Sequence, residues 1–124
     1  MAKILVADDE SSIRRLVQTV FERRGHEVIG AEDGEDAWRL IRVHRPALVL
    51  VDLWMPRWSG WDLIRAIKAD PTLSDLKVVV LTASTQADDQ GRARELGIDD
   101  YLTKPFSPRH LRDVVDRVLE SSDD

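Results

Sequence analysis

Four points along the sequence bear side chains able to act together on charged oxygen: Asp8-Asp9-Glu10, Asp52, Thr82 and Lys104. Each stands where a short apolar run stops. KILVA (3–7) leads into the acidic triplet, and ALVLVD (47–52) ends on Asp52. KVVVL (77–81) leads into Thr82, and DYL (100–102) into Thr103-Lys104-Pro105. If these runs lie side by side, three or four carboxylates, one hydroxyl and one ammonium converge. Carboxylates so placed repel one another and raise one another's pKa unless a cation intervenes. One lysine supplies too little charge, so a divalent cation is the natural remedy, and hard oxygen ligands favour Mg2+ over zinc. A site with Mg2+, a lysine and a hydroxyl donor suits phosphoryl oxygens, because phosphoryl transfer is mostly positioning and charge neutralisation. A carboxylate in that company can act as nucleophile and form an acyl phosphate.

Taken singly, the same residues have plainer readings. Asp8-Asp9-Glu10 suits the start of a helix, where acids meet the positive end of the dipole. Asp52 suits a turn ahead of Met55-Pro56, and Thr82 or Lys104 alone carries no information. Their shared position at the ends of runs is what favours the chemical reading. Asp52 also heads a stretch, VDLWMPRWSGW (51–61), that holds three of the four tryptophans.

The elements that must position these residues are legible as an alternation. EVIGA (27–31) completes a set of five short strand-like runs. The first, third and fourth are almost continuously apolar, as expected of parallel strands covered on both faces. Between them, Ile13, Leu16, Val17, Val20 and Phe21 form one helical stripe closed by Gly25. Leu111, Val114, Val115, Val118 and Leu119 form another, opened by Ser107 as N-cap and Pro108 at the first turn. Ala37, Leu40 and Ile41 mark a shorter helix, and Leu63, Ile64 and Ile67 one that stops before Pro71. The helix around 88–96 is poor, with Gly91 inside it at a cost of about 1 kcal/mol against alanine. Its apolar face is little more than Ala93 and Leu96, so it should be the least firmly held. Five strand–helix repeats with right-handed crossovers give a doubly wound α/β sandwich, whose ligands bind beyond the carboxyl ends of the strands.

Composition narrows the function classes. At 124 residues, 43% hydrophobic and 33% charged, the chain suits one globular domain, read here as 1–120 with a tail or linker start at 121–124. The absence of cysteine excludes disulfides, thiolate metal sites and a cysteine nucleophile; it fits a reducing compartment. MAKILVADDE is unlike a signal peptide, and no apolar run is long enough to span a bilayer. A net charge of −5 without a long basic block argues against nucleic-acid binding by this domain itself.

The sequence resembles the receiver domain of two-component response regulators, the family of the bacterial chemotaxis regulator. VADDE, VDLWMPRWSG, VVVLTA and GIDDYLTKPF carry the resemblance, which covers almost the whole chain. It implies a flavodoxin-like, five-stranded parallel sheet in the order 2-1-3-4-5 with five helices. It implies that Asp52 is the phosphoacceptor, that Asp9 and the Trp54 backbone carbonyl join Asp52 as Mg2+ ligands, and that Asp8 helps through water. Thr82 would donate to a phosphoryl oxygen, and Lys104 would pair with the phosphate on a Lys-Pro bond usually cis in the family. Tyr101 would be the aromatic switch that follows Thr82, and the fourth helix, fifth strand and fifth helix would form the output face. The domain would be cytoplasmic and would catalyse only its own phosphorylation and dephosphorylation. Its donor would be a sensor histidine kinase or a histidine phosphotransferase.

Two departures from the family pattern stand out. Trp58-Ser59 replaces a common methionine-aspartate before the glycine, which affects loop packing. Trp54, two positions after the phosphoacceptor, is expected to roof the site and slow attack by water. Trp58 is expected to pack under the loop as core; Trp61 fits core better than a partner contact, and Trp38 is read as packing only. His26, His44 and His110 are expected in solvent. Arg14 and Arg15 suit either an acidic patch on a phosphodonor or plain solvent. Arg92, Arg94, Asp100, Asp113, Asp116 and Arg117 among others charge the output face, which suits either solvent or a phosphorylation-driven dimer. Competing readings are a phosphohydrolase turning over through an aspartyl phosphate, a flavin binder and a pseudo-receiver that never takes phosphate. Trp54 stands where a haloacid-dehalogenase-like enzyme has its acid, and Asp8-Asp9-Glu10 would repel a flavin phosphate. The intact set Asp9, Asp52, Thr82 and Lys104 argues against a pseudo-receiver.

Overall fold

The computed structural model describes residues 1–83 and 87–120; the expected tail at 121–124 lies outside them. The five runs become strands β1 (Lys3–Ala7), β2 (Glu27–Ala31), β3 (Leu48–Asp52), β4 (Lys77–Thr82) and β5 (Asp100–Thr103). All pair in parallel in the order β2-β1-β3-β4-β5, the expected topology. The helices between them are α1 (Ser11–Glu22), α2 (Gly34–His44), α3 (Gly60–Ala69), α4 (Ala87–Glu95) and α5 (Pro108–Glu120). A 3-10 turn at Pro71–Leu73, capped by Asp70, was not expected from the sequence.

Because alternate strand residues face opposite sides, the continuous apolar runs feed two cores at once. Leu5, Ala7, Val49, Val51, Val78 and Val80 pack under α2 and α3 and meet Ala93 of α4. Ile4, Val6, Leu48, Leu50, Val79 and Leu81 face the other way, onto the α1 stripe around Val17 and Phe21 and the α5 stripe from Leu111 to Val118. The edge strand β2 buries only Val28 and Ala31. Gly25 ends α1 in the left-handed region at φ 87°, and the Ser107 hydroxyl accepts the His110 N–H to open α5. Of the described α4 side chains only Ala93 is buried, with Leu96 packing just beyond it. The expected weakness of that helix is therefore visible in its packing. Among the described residues, no helix is long and apolar enough to cross a membrane.

Candidate functional site

Strand register brings the four points together. Ala7 pairs with Val51, so Asp8 emerges beside Asp52. Asp52 in turn pairs with Leu81, and Thr82 with Thr103, so Thr82 and Lys104 come next along the same rim. Lys104 Nζ lies 2.8 Å from Asp8 Oδ2, 2.9 Å from Glu10 Oε1 and 3.0 Å from Asp52 Oδ2. Asp8 and Thr82 are fully buried and Asp52 is nearly so.

Burial pushes the Asp8 carboxyl above its ordinary range. The contact with Lys104 and the Glu10 N–H, 2.9 Å from Asp8 Oδ1, pull it back only in part, and the charge of Asp52 acts in the same direction as burial. For Lys104, burial alone would favour the neutral amine. Its hydrogen bonds to Asp8, Glu10 and Asp52 outweigh burial and hold its pKa well above the ordinary lysine value. The site therefore keeps a firmly charged ammonium among three acids.

Among the described residues, Asp8, Glu10 and Asp52 each offer a carboxylate oxygen within 4.8 Å of the others, a spacing fit for one metal ion. Asp8 Oδ2 is buried, with Lys104 as its ion-pair partner at 2.8 Å and no further donor among the described residues. Three hard anionic oxygens against one ammonium suit a hard divalent cation. Asp9 is exposed and outside this group of three. The Trp54 N–H donates to Asp52 Oδ1 at 3.1 Å, fixing that carboxylate's orientation. Tyr101 is half-buried against the α2–α3 core, and the Lys104-Pro105 bond is cis.

The loop after Asp52 is shaped by details that the sequence reading passed over. Arg57 takes the left-handed region at φ 67° and turns the chain. Ser59 and Asp62 form a reciprocal capping box at the start of α3, for which the Ser-x-x-Asp spacing was the available signal. Trp54 is 54% exposed and meets the buried Trp61 edge-on at 6.4 Å between centroids. The Arg92 guanidinium of α4 lies 4.3 Å over the Trp61 ring, so the core reading of Trp61 holds.

Other expectations need correction. Trp58 is not core: it is half-buried and stacks on Trp38 at 6.3 Å and 27°. Its carbonyl presses so closely on Gly34 that a Cβ there would meet it at 2.2 Å, which lays the loop across the start of α2. Trp38 does more than pack, since Arg42 also sits over its ring at 5.1 Å. His26 is half-buried, accepting the Ala2 N–H at Nδ1 at 3.0 Å and meeting Phe21 edge-on. His44 is half-buried too, whereas His110 is exposed as expected. Arg14 turns inward to the Asp8 carbonyl at 2.7 Å, leaving Arg15 exposed. Asp8-Asp9-Glu10 does not cap α1 in the expected way: Glu10 stands at the N-cap, but its side chain makes no capping bond. Its grip on Lys104 was missed because the partners are 94 positions apart and no local signal announces it.

Comparisons with known proteins agree with this geometry. A model of the response regulator receiver domain family matches residues 4–116. The chain is 40% identical over 121 residues to a probable transcriptional regulator, ycf27, of Porphyridium aerugineum, covering 98% of this chain and 49% of that protein. It is 38% identical over 121 residues to the alkaline phosphatase synthesis transcriptional regulatory protein PhoP of Bacillus subtilis, covering 98% of this chain and 50% of that one. The chain thus spans about half the length of these relatives. Among solved structures, chemotaxis protein CheY4 of Vibrio cholerae is similar with a TM-score of 0.89 at 30% identity, covering 95% of this chain and 98% of that one.

Proposed function

This chain belongs to the response regulator receiver domain family, and from that premise we propose that it is a phosphorylation-dependent signalling switch with Asp52 as phosphoacceptor. The observation that carries the reading is a nearly buried carboxylate at the tip of the central strand β3, 3.0 Å from a lysine ammonium. Beside it, one step along the register, is the buried Thr82.

In this reading an Asp52 oxygen attacks the phosphorus of a phosphohistidine on a sensor histidine kinase or phosphotransferase. The new P–O bond forms as the P–N bond breaks, and the imidazole leaves with a proton. Lys104 neutralises charge on the phosphoryl oxygens and the Thr82 hydroxyl donates to one of them. Asp9, Asp52 and the Trp54 carbonyl would hold Mg2+ directly, with Asp8 acting through water. Once bound, the cation would supply the remaining neutralisation of the phosphoryl oxygens. Hydrolysis of the acyl phosphate resets the domain, so its catalysis is confined to its own modification.

The added charge draws Thr82 toward the site and Tyr101 follows, biasing the thinly packed α4. The face formed by α4, β5 and α5 then engages an output partner or a second copy of the chain. The domain works in the cytoplasm, within reach of its kinase. The test is intact mass after incubation with acetyl phosphate, with and without Mg2+. One phosphoryl group gained by the wild type only with Mg2+, and none by Asp52→Asn, is the expected result. No gain by a folded, Mg2+-binding protein, even with Trp54→Asn, would mean a binding module instead.

A further inference from the structure

Glu10 occupies the N-cap of α1, a position where a side chain usually accepts an orphan helix N–H. It does not do so. Its backbone is tied down, with its N–H on Asp8 Oδ1 at 2.9 Å and its carbonyl accepting from Ile13 and Arg14. Its carboxylate reaches instead across the site to Lys104 Nζ at 2.9 Å. The bridge stands at the polar end of an otherwise apolar groove of about 400 Å3, floored by Ile13, Pro105 and Phe106.

An ammonium has three donors, and Lys104 faces three carboxylates within 3.0 Å. A phosphoryl group on Asp52 needs at least one of those donors. Asp8 and Asp52 are fixed by burial at strand ends, whereas the Glu10 side chain is 55% exposed on a flexible stem. Glu10 is therefore the partner that yields. We propose that Glu10 is a positioning residue that restrains Lys104 in the resting site and competes with the phosphoryl group for it.

The inference rests on the phosphoacceptor reading, and one titration series separates the two. Beryllofluoride, a phosphoryl mimic, is titrated into the full chain with saturating Mg2+, using wild type, Glu10→Gln and Glu10→Asp. A partly exposed pair is a weak competitor, so both variants should bind roughly two- to fivefold more tightly. Asp keeps the charge but is one carbon too short to span the gap, so it should behave like Gln. Mg2+ affinity without beryllofluoride is titrated in parallel, because Glu10 is one of the three grouped carboxylates; a restraint on Lys104 requires that both variants shift it less than they shift beryllofluoride binding. Tighter binding by Gln but not by Asp would mean a general field effect and overturn the proposal. So would unchanged or weaker beryllofluoride binding by both, or a large loss of Mg2+ affinity, which would make Glu10 a ligand. A wild type that never binds beryllofluoride would sink the phosphoacceptor reading itself.

Discussion

The loop between Asp52 and α3, and the helix α4 beyond Thr82, flank the same site and are held in contrasting ways. In the loop, a Cβ on Gly60 would meet the Asp52 carbonyl oxygen at 2.2 Å, so backbone lies directly on backbone. The Gly60 N–H binds the Leu53 carbonyl at 2.9 Å, the capping box locks the next turn, and Trp61 is 4% exposed. In α4, by contrast, nothing described lies within 4 Å of where a Gly91 Cβ would stand. Ala93 is the one described α4 side chain that is fully buried, and Arg92 on Trp61 supplies a cation–π contact to α3. Asp52, the proposed phosphoacceptor, is thus set in a rigid seat, while the neighbouring helix is thinly packed. A switch needs both: the chemistry demands fixed atoms, and the response demands an element drawn from the low-stability end of the fold.

The comparison breaks most visibly at Gly60. Gly60→Ala forces a methyl into backbone and should destabilise the domain by about 3 kcal/mol in urea melts. It should also abolish phosphoryl uptake measured under conditions where it remains folded. Stability within 1 kcal/mol of wild type would mean the seat is softer than its geometry.

Trp54 leans on the fixed side through Trp61 while half of it meets solvent. Trp54→Asn should uncover the approach to Asp52 and shorten the phosphorylated lifetime roughly threefold, a barrier change of about 0.65 kcal/mol. An unchanged decay rate would leave Trp54 without a shielding role.

Gly91→Ala sharpens the contrast from the other side. The added methyl meets open space and improves helix propensity, so stability should rise by up to about 1 kcal/mol. Hydrogen exchange in α4 should slow more than in α3. Equal slowing across both helices would show that α4 is not a separate soft unit.

The smallest effect serves as a control at the far end of α3. The Thr72 hydroxyl and N–H donate to the Asp70 carboxylate and lower its pKa below 3.8. A lowered acid stabilises the fold above its unfolded pKa and loses that contribution as pH falls through the folded value. Asp70→Asn should therefore be slightly less stable than wild type at pH 7, and the gap should close as pH drops below 3.8. Phosphoryl uptake should not change.

Much of this was legible because it depends on period and on strand ends. Continuous apolar runs in β1, β3 and β4 specify strands covered on both faces, and parallel register then carries Asp8, Asp52, Thr82 and Lys104 to one rim without further information. The poor face of α4 was likewise readable from Gly91 and Ala93. What was not readable depends on side chains meeting across the chain. Trp58 has the composition of a core residue, yet the left-handed turn at Arg57 and the pressure on Gly34 send it to stack on Trp38. His26 pairs with the backbone of Ala2, 24 positions away. Glu10 at an N-cap reads locally as a cap, and only the completed sheet supplies the lysine that draws it elsewhere.

The ammonium ringed by three acids also bears on how the chain assembles. Lys104 meets Glu10 and Asp52 across 94 and 52 positions of sequence. Contacts this distant close only after the intervening loops have paid their entropy, so they belong among the later events of folding. The first strand brings acids, the third brings Asp52, and Lys104 arrives only when β5 docks at the far edge. A nascent, truncated or partly unfolded chain accordingly presents carboxylates without their counter-charge. Competence to receive a signal would in this way depend on complete folding, through the same lysine proposed to pair with the phosphoryl group.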